Sequence, residues 1–287
     1  MTSRSPFAIA VHGGSFQRDG DYAPHQDFIR TVLEAAEAEL GRGGSALDVA
    51  TGAVCRLEDS GLYVAGRGAG PNNAGYFELD ASIMDGATGQ AGSVAGLTHF
   101  RHPILCARTV MERTPHVLLA GPGAVSFLDG EGLEQVDPAT WFRPASVMEA
   151  ETSHGTVGAV VLDGEGRLVS AVSTGGTSGK REGRIGDPAI IGASIFAGPD
   201  YAVCSTGHGE FFMRAVAAYD VVARCRYAGV PLDRSVDATL QMGVKAKGGW
   251  GGMIAVSADG EISMRFASRG MHRGSVTNRG DMFVASY

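Results

Sequence analysis

Charge is scarce in this sequence. Only 19% of its 287 residues are charged, 24 Lys and Arg against 31 Asp and Glu, for a formal net charge of −7. No long run of Lys or Arg occurs, so the electrostatic footprint of a nucleic-acid binder is missing. Cysteine is scarce too: Cys55, Cys106, Cys204 and Cys225 stand far apart with no CxxC pair. That argues against a zinc site or a disulfide framework and fits a reducing compartment. No apolar stretch approaches the ~18 residues of a membrane span. Met1–Val11 holds only a short apolar run with no cleavage pattern behind it, which reads as a cytoplasmic chain without a signal peptide.

What the sequence has in excess is glycine, 43 residues, roughly twice the usual share. No three-residue period accompanies it, so collagen is excluded. With 44% hydrophobic residues disorder is excluded as well. The excess therefore marks places where backbone turns sharply or approaches something closely.

The apolar pattern predicts a first strand over Phe7–Val11 and a helix over His25–Leu40. A second helix is capped by Ser45 with Asp48 three residues on. Strands follow over Tyr76–Met84 and Ala91–Thr98, then a helix opening at Pro103. From about Asp129 to Gly155 the periodicity fades into a linker. Strands resume at Thr156–Leu162 and Leu168–Ser173, joined by a hairpin, then at Ala189–Phe196 and Tyr201–Ser205. A long helix over Glu210–Tyr227, more helix over Val236–Val244 and a hairpin of Met253–Val256 with Ile262–Ala267 complete the reading. Strands in sets and helices in pairs favour sheet-on-sheet packing with helices outside.

Several chemical motifs fail. Gly175–Lys180 lacks the first glycine and the final hydroxyl of a phosphate loop. Gly66–Gly70 lacks the spacing of a dinucleotide fingerprint, and no GxSxG elbow is present. The eight His residues show no metal-ligand spacing near a Cys or Glu. Hydroxyls beside glycines remain, at Gly155-Thr156, Ser173-Thr174-Gly175-Gly176 and Ser205-Thr206-Gly207-His208-Gly209-Glu210, with Gly183-Arg184-Ile185-Gly186-Asp187 between them. A threonine is a poor nucleophile unless a base takes its proton. One solution makes Thr the first residue of a chain, so that its own α-amine is that base. Such chemistry needs a cut before Thr156, where the linker ends.

These segments, in this order, resemble the plant-type asparaginases, the isoaspartyl peptidases of the N-terminal nucleophile hydrolase superfamily. The resemblance takes in His12-Gly13-Gly14, Leu79–Gly86, Gly92–Gly96, His102-Pro103-Ile104 and Gly248–Gly252, and covers nearly the whole chain. It implies an α+β fold, a four-layer αββα sandwich of two mainly antiparallel sheets. It implies self-cleavage between Gly155 and Thr156, giving subunits 1–155 and 156–287, and two such pairs assembled as an (αβ)2 heterotetramer.

By the same resemblance Thr156 attacks the side-chain amide carbonyl of asparagine or a β-aspartyl dipeptide, and Thr174 orients it. Thr206 and the Gly207 N–H form the oxyanion hole. Arg184 takes the substrate α-carboxylate, and Asp187 with the Gly209 carbonyl takes the α-ammonium. No cofactor is implied for catalysis. A structural sodium is implied on the carbonyls of Leu57, Glu58, Ser60, Tyr63, Ala65 and Arg67. Val64 departs from the family, which often has Asn there.

Taken singly, each feature has a plainer reading. A Gly-Thr pair usually marks a turn, buried threonines are usually satisfied by backbone, and Arg184 with Asp187 is an ordinary ion pair. His12, Cys204 and Trp250 read as packing residues. Two alternatives stand beside the asparaginase reading: an N4-(β-N-acetylglucosaminyl)-L-asparaginase, which tends to carry Asn in place of Gly175, and a silent homologue that never processes, which Val64 favours.

Overall fold

Alternating apolar side chains along the strands give each sheet two faces to bury, and the chain covers them except at edge strands such as β4 and β12. The computed structural model describes residues 6–142 and 155–287. Its strands are β1 (Ala8–Phe16), β2 (Leu79–Asp85), β3 (Ala91–Leu97), β4 (Leu118–Ala120), β5 (Thr156–Leu162), β6 (Leu168–Thr174), β7 (Ile195–Ala197), β8 (Tyr201–Gly207), β9 (Gly251–Ser257), β10 (Ile262–Phe266), β11 (Gly270–Thr277) and β12 (Phe283–Ala285). The large sheet runs β12-β11-β1-β5-β6-β2-β3-β4, antiparallel except for the parallel β3–β4 pair. The small one runs β10-β9-β8-β7.

Helices α1 (Ala23–Gly41), α2 (Ala46–Asp59) and α3 (Pro103–Arg113) cover the outer face of the large sheet. Between them lie α4 (Gly121–Leu128) and α5 (Pro138–Trp141) further along the chain, and α6 (Gly209–Ala215), α7 (Ala217–Ala228) and α8 (Leu232–Ala238) pack on the small sheet. Three buried cores fill the three interfaces. Val11, Val157, Ala171 and Ile83 face α1–α3. Ala10, Val160 and Val172 meet Cys204 and Ile254 between the sheets. Val203 and Ala255 meet Val221 and Leu232 beneath the last helices. Four layers in the order αββα result, as the sequence predicts. Among the described residues no helix is long and apolar enough to cross a membrane.

Local signals are met at several ends. Ser45 Oγ accepts from the Asp48 N–H at 3.1 Å, and Pro103 opens α3. Elsewhere the chain departs from expectation. The helix predicted over Glu210–Tyr227 is two, broken at Val216, which adopts φ +48°. The break lets α7 start afresh: the Ala218 and Tyr219 N–H groups bond the Ala193 and Gly192 carbonyls, satisfying donors that a helix start leaves open. Ala189–Phe196 is mostly turn, with a 3-10 turn at Asp187–Ala189 and a strand only from Ile195. Val236–Val244 starts as α8 and ends in a π-helical turn, Thr239–Val244.

Of the linker read over 129–155, residues 143–154 lie outside the described residues. The part before them is packed: Phe142 is buried and stacks on Phe77, and Glu134 pairs with Arg101.

Candidate active site

Strand parity decides which hydroxyls can meet. Val160 of β5, Val172 of β6 and Cys204 of β8 all face the space between the sheets. Thr156, Thr174 and Thr206 stand an even number of residues from them, so their side chains project into the same gap. Thr156 lies directly opposite Thr174 in the β5–β6 register. Their hydroxyls are 3.3 Å apart, and all three threonines are buried.

Thr174 is a junction. Its hydroxyl donates to the Gly155 carbonyl at 3.1 Å, while its oxygen accepts from the Gly176 N–H at 2.9 Å and from Thr156 Oγ1. A hydroxyl has one proton and two lone pairs, so Thr174 is fully engaged. It therefore polarises the carbonyl of the bond that joins Gly155 to Thr156. Across the gap, Thr206 Oγ1 accepts from the Ser15 N–H at 3.3 Å, which leaves its own proton to donate. Gly207 has φ +138°, and a Cβ there would collide with the Trp250 carbonyl and Gly251. Only glycine lets the backbone N–H sit beside Thr206 in this geometry.

Gly155, Thr156, Thr174, Arg184, Asp187 and Gly207 line one small, narrow cleft. Both charges read from the sequence therefore share a cleft with Thr156 and Thr174. The Arg184 guanidinium is held along one edge by Glu210, Nε to Oε1 at 3.0 Å and Nη2 to Oε2 at 3.1 Å. A guanidinium has five N–H donors, so Nη1 and one Nη2 proton remain for a ligand. Asp187 is buried, and its Oδ2 has no hydrogen-bond partner among the described residues. Burial pushes its carboxyl up to about 7, against the pull of Ser194 and Arg184. Gly209 begins α6 here, and a side chain on it would strike Asp187 and Arg184. A cation and a buried carboxylate a few residues apart suit the two ends of an α-amino acid.

Other buried polar residues, to which the sequence assigns no role, support the site. Asp80 is fully buried in β2 and accepts from the Gly186 and Gly96 N–H groups, at 2.9 and 3.0 Å, fixing the turn between Arg184 and Asp187. Glu78 accepts from Asn72 and from the Gly183 N–H, and Lys180 Nζ donates to the Glu78 carbonyl at 2.7 Å. The Gly70–Asn73 loop thus braces the segment before Arg184. An acid inside an apolar strand was the available signal for Asp80. His12, by contrast, is structural as expected: burial lowers its pKa to about 3, and its Nε2 lies 3.1 Å from Cys204 Sγ.

Val64 lies against Gly155. A Cβ on Gly155 would come within 2.8 Å of the Val64 Cβ and Cγ2. On this side a second, larger cavity of about 250 Å³ opens, lined by Ser15, Tyr22, His25, Tyr63 and His272 and sharing Gly155 with the cleft.

The carbonyl loop after α2 also has a cation's chemistry. A Cβ on Gly66 would approach the Glu58 carbonyl to 2.7 Å, and one on Gly68 would overlap the Tyr63 carbonyl, so glycines let these oxygens crowd inward. The Leu57, Tyr63 and Ala65 carbonyls accept one hydrogen bond each, from Ser60 Oγ, Ala65 N and Gly68 N. Each keeps a second lone pair. Such carbonyls are the oxygen donors that a hard cation takes.

A sequence model of a family described as asparaginase matches residues 5–152 and 141–285. The chain is 39% identical to an isoaspartyl peptidase of Salmonella typhimurium, covering 92% of this chain and 93% of that protein. It is 39% identical to one of Escherichia coli, covering 92% and 91%. A human protein named isoaspartyl peptidase/L-asparaginase is 34% identical over 92% of this chain and 91% of its own length.

Proposed function

This chain belongs to the asparaginase family, and on that premise we propose that it is a self-processing hydrolase of β-aspartyl dipeptides and L-asparagine. The observation that carries the reading is the single cleft in which Thr156, paired with Thr174, faces Arg184 and Asp187.

Processing comes first. Thr156 Oγ1 attacks the Gly155 carbonyl, whose oxygen Thr174 already holds. The acyl group moves from the Thr156 nitrogen to its oxygen, and water hydrolyses the ester. Residues 1–155 and 156–287 then end and begin at the site, and the freed Thr156 amine becomes the base for its own hydroxyl.

In turnover, Arg184 holds the substrate α-carboxylate, while Asp187 and the Gly209 carbonyl hold the α-ammonium. This presents the side-chain amide to Thr156. As the tetrahedral intermediate forms, Thr206 and the Gly207 N–H donate to its oxyanion, an interaction stronger in the transition state than in the ground state. The proton taken by the amine passes to the leaving nitrogen, and an aspartyl ester on Thr156 remains. Water, activated by the same amine, releases aspartate. The larger cavity beside Gly155 gives room for the departing amino acid.

A sodium ion on the carbonyls of Leu57, Glu58, Ser60, Tyr63, Ala65 and Arg67 would shape the loop bearing Val64 without entering any step. Two processed copies pair into the (αβ)2 assembly, which light scattering would show as twice the chain mass. The glucosaminyl-asparaginase alternative is weakened by Gly175: a side chain there would run into Ala69, coming within 2.8 Å of its Cα.

The decisive experiment incubates the purified chain and follows it on a denaturing gel with β-Asp-Leu hydrolysis in parallel. Wild type should split into the two fragments and release aspartate. Thr156→Ala should stay whole. An uncut wild-type chain that releases no aspartate would overturn the reading.

A further inference from the structure

We propose a second metal site, separate from the catalytic cleft, formed by Cys55, Glu58 and His102 and suited to a borderline divalent ion such as Zn²⁺. The sequence argued against such a site because its cysteines and histidines are dispersed. Folding removes that objection. Cys55 and Glu58 are one turn apart on α2 and share a face. His102 is the residue that caps the start of α3. One ligand atom from each of the three lies within 4.8 Å of the others. Three atoms no farther apart than that fit within a circle of about 2.8 Å radius, so side-chain movements of about half an ångström bring them to the 2.0–2.3 Å of Zn–N, Zn–O and Zn–S bonds.

The donors are chemically matched. Thiolate, imidazole and carboxylate together suit zinc rather than magnesium or calcium, which take oxygen. Glu58 is fully buried, with Oε1 held by the Ile104 N–H at 3.1 Å and Oε2 3.0 Å from His102 Nδ1. The other ring nitrogen of His102 is 3.6 Å from Asp59 Oδ2. An ion taken by Nδ1 would leave Nε2 facing that carboxylate, and closing the gap to hydrogen-bond distance would give the arrangement that stabilises metal-bound imidazoles. Cys55 and His102 are only half-buried, which gives an entry path and room for a water as fourth ligand. The bound ion would tie α2 to α3.

The test uses the full chain stripped of metal and titrated with Co²⁺. Wild type should develop the near-ultraviolet absorption of a Co–thiolate bond at one equivalent, and Zn²⁺ should bleach it. Cys55→Ala should lose that band and bind at least about 100-fold more weakly, beyond what the loss of a supporting residue costs. His102→Gln should weaken binding while keeping thiolate absorption, and Cys106→Ala, in the neighbouring helix, should behave as wild type. No thiolate band in wild type, or a band that survives Cys55→Ala and vanishes in Cys106→Ala, would overturn the site. Because neither readout uses catalysis, the result is independent of the hydrolase reading.

Discussion

Val64 lies against Gly155, the residue whose carbonyl would accept attack in the proposed processing. A valine offers that carbonyl no proton. Replacing it with asparagine adds an amide donor while keeping the Val64 carbonyl that accepts from the Gly175 N–H. Self-cleavage of Val64→Asn should therefore run about tenfold faster, short of the ~10²-fold or more of a full oxyanion donor. A time course of fragment appearance measures it, and an unchanged or slower rate would show that Val64 does not limit processing. Arg184 gives a second prediction. Lysine cannot keep both bonds to Glu210 and still offer a fork to a substrate carboxylate. Arg184→Lys should raise KM for asparagine by roughly 10²-fold, the ~2–3 kcal/mol of a charge-assisted contact, with kcat changed far less. Asp187 supplies the pH dependence. Its carboxyl is raised to about 7 by burial, and only the ionised form binds an ammonium. Lowering the pH below about 7 protonates it, so aspartate affinity should fall roughly tenfold per unit there, as titration calorimetry would measure. Affinity flat from pH 8 to 5 would remove Asp187 from the ammonium site.

At the scale of elements, the predictable parts are those whose pattern and punctuation agree. β5, β6, α2 and α3 combine clean periodicity with caps or turns, and the structure has them with ends shifted by a residue or two. What hid from the sequence was set by tertiary contact. β11 carries Gly270, Gly274, His272 and Arg273 and shows no strand alternation, yet it pairs with β1 along its length. Gly274 is there because a Cβ would lie 2.8 Å from Ile29 and Leu33 of α1. Likewise nothing local announces the break at Val216, since valine resists positive φ. Thr156, Thr174 and the Arg184–Asp187 pair, which the structure brings to one cleft, all stand in the ordered motifs. The bracing roles of Asp80, Glu78 and Ser15 are not legible, because the Asp80 and Glu78 carboxylates accept from distant backbone N–H groups and Ser15 donates its own N–H to Thr206. The break is testable. Val216→Gly should relieve a left-handed β-branched residue and raise stability by about 1 kcal/mol, read from denaturant midpoints. A loss of stability would mean that the 49%-exposed Val216 side chain contributes more than its strain costs.

For the whole molecule, the strand order determines what cleavage before Thr156 would do. Along the large sheet, β12 and β11 come from the C-terminal segment, β1 from the N-terminal, β5 and β6 from the C-terminal, and β2, β3 and β4 from the N-terminal. The two halves alternate, and three of the strand junctions, β11–β1, β1–β5 and β6–β2, join one to the other. The helix core beneath mixes them as well, with Val157 and Ala171 packed among Val54, Leu57 and Ile104. Neither fragment can close its own sheet, so each would expose unpaired edges and apolar faces if it left. The cut chain should therefore remain one particle in size-exclusion chromatography, with both fragments in a single peak. Unfolding, in contrast, changes molecularity. An intact chain unfolds to one species, whereas a cut one unfolds to two, and its midpoint must depend on protein concentration. Thr156→Ala should have a less concentration-dependent thermal midpoint than processed wild type, while wild type should shift upward with each tenfold increase in concentration. Fragments that separate under native conditions would contradict the interleaved sheet as the source of cohesion.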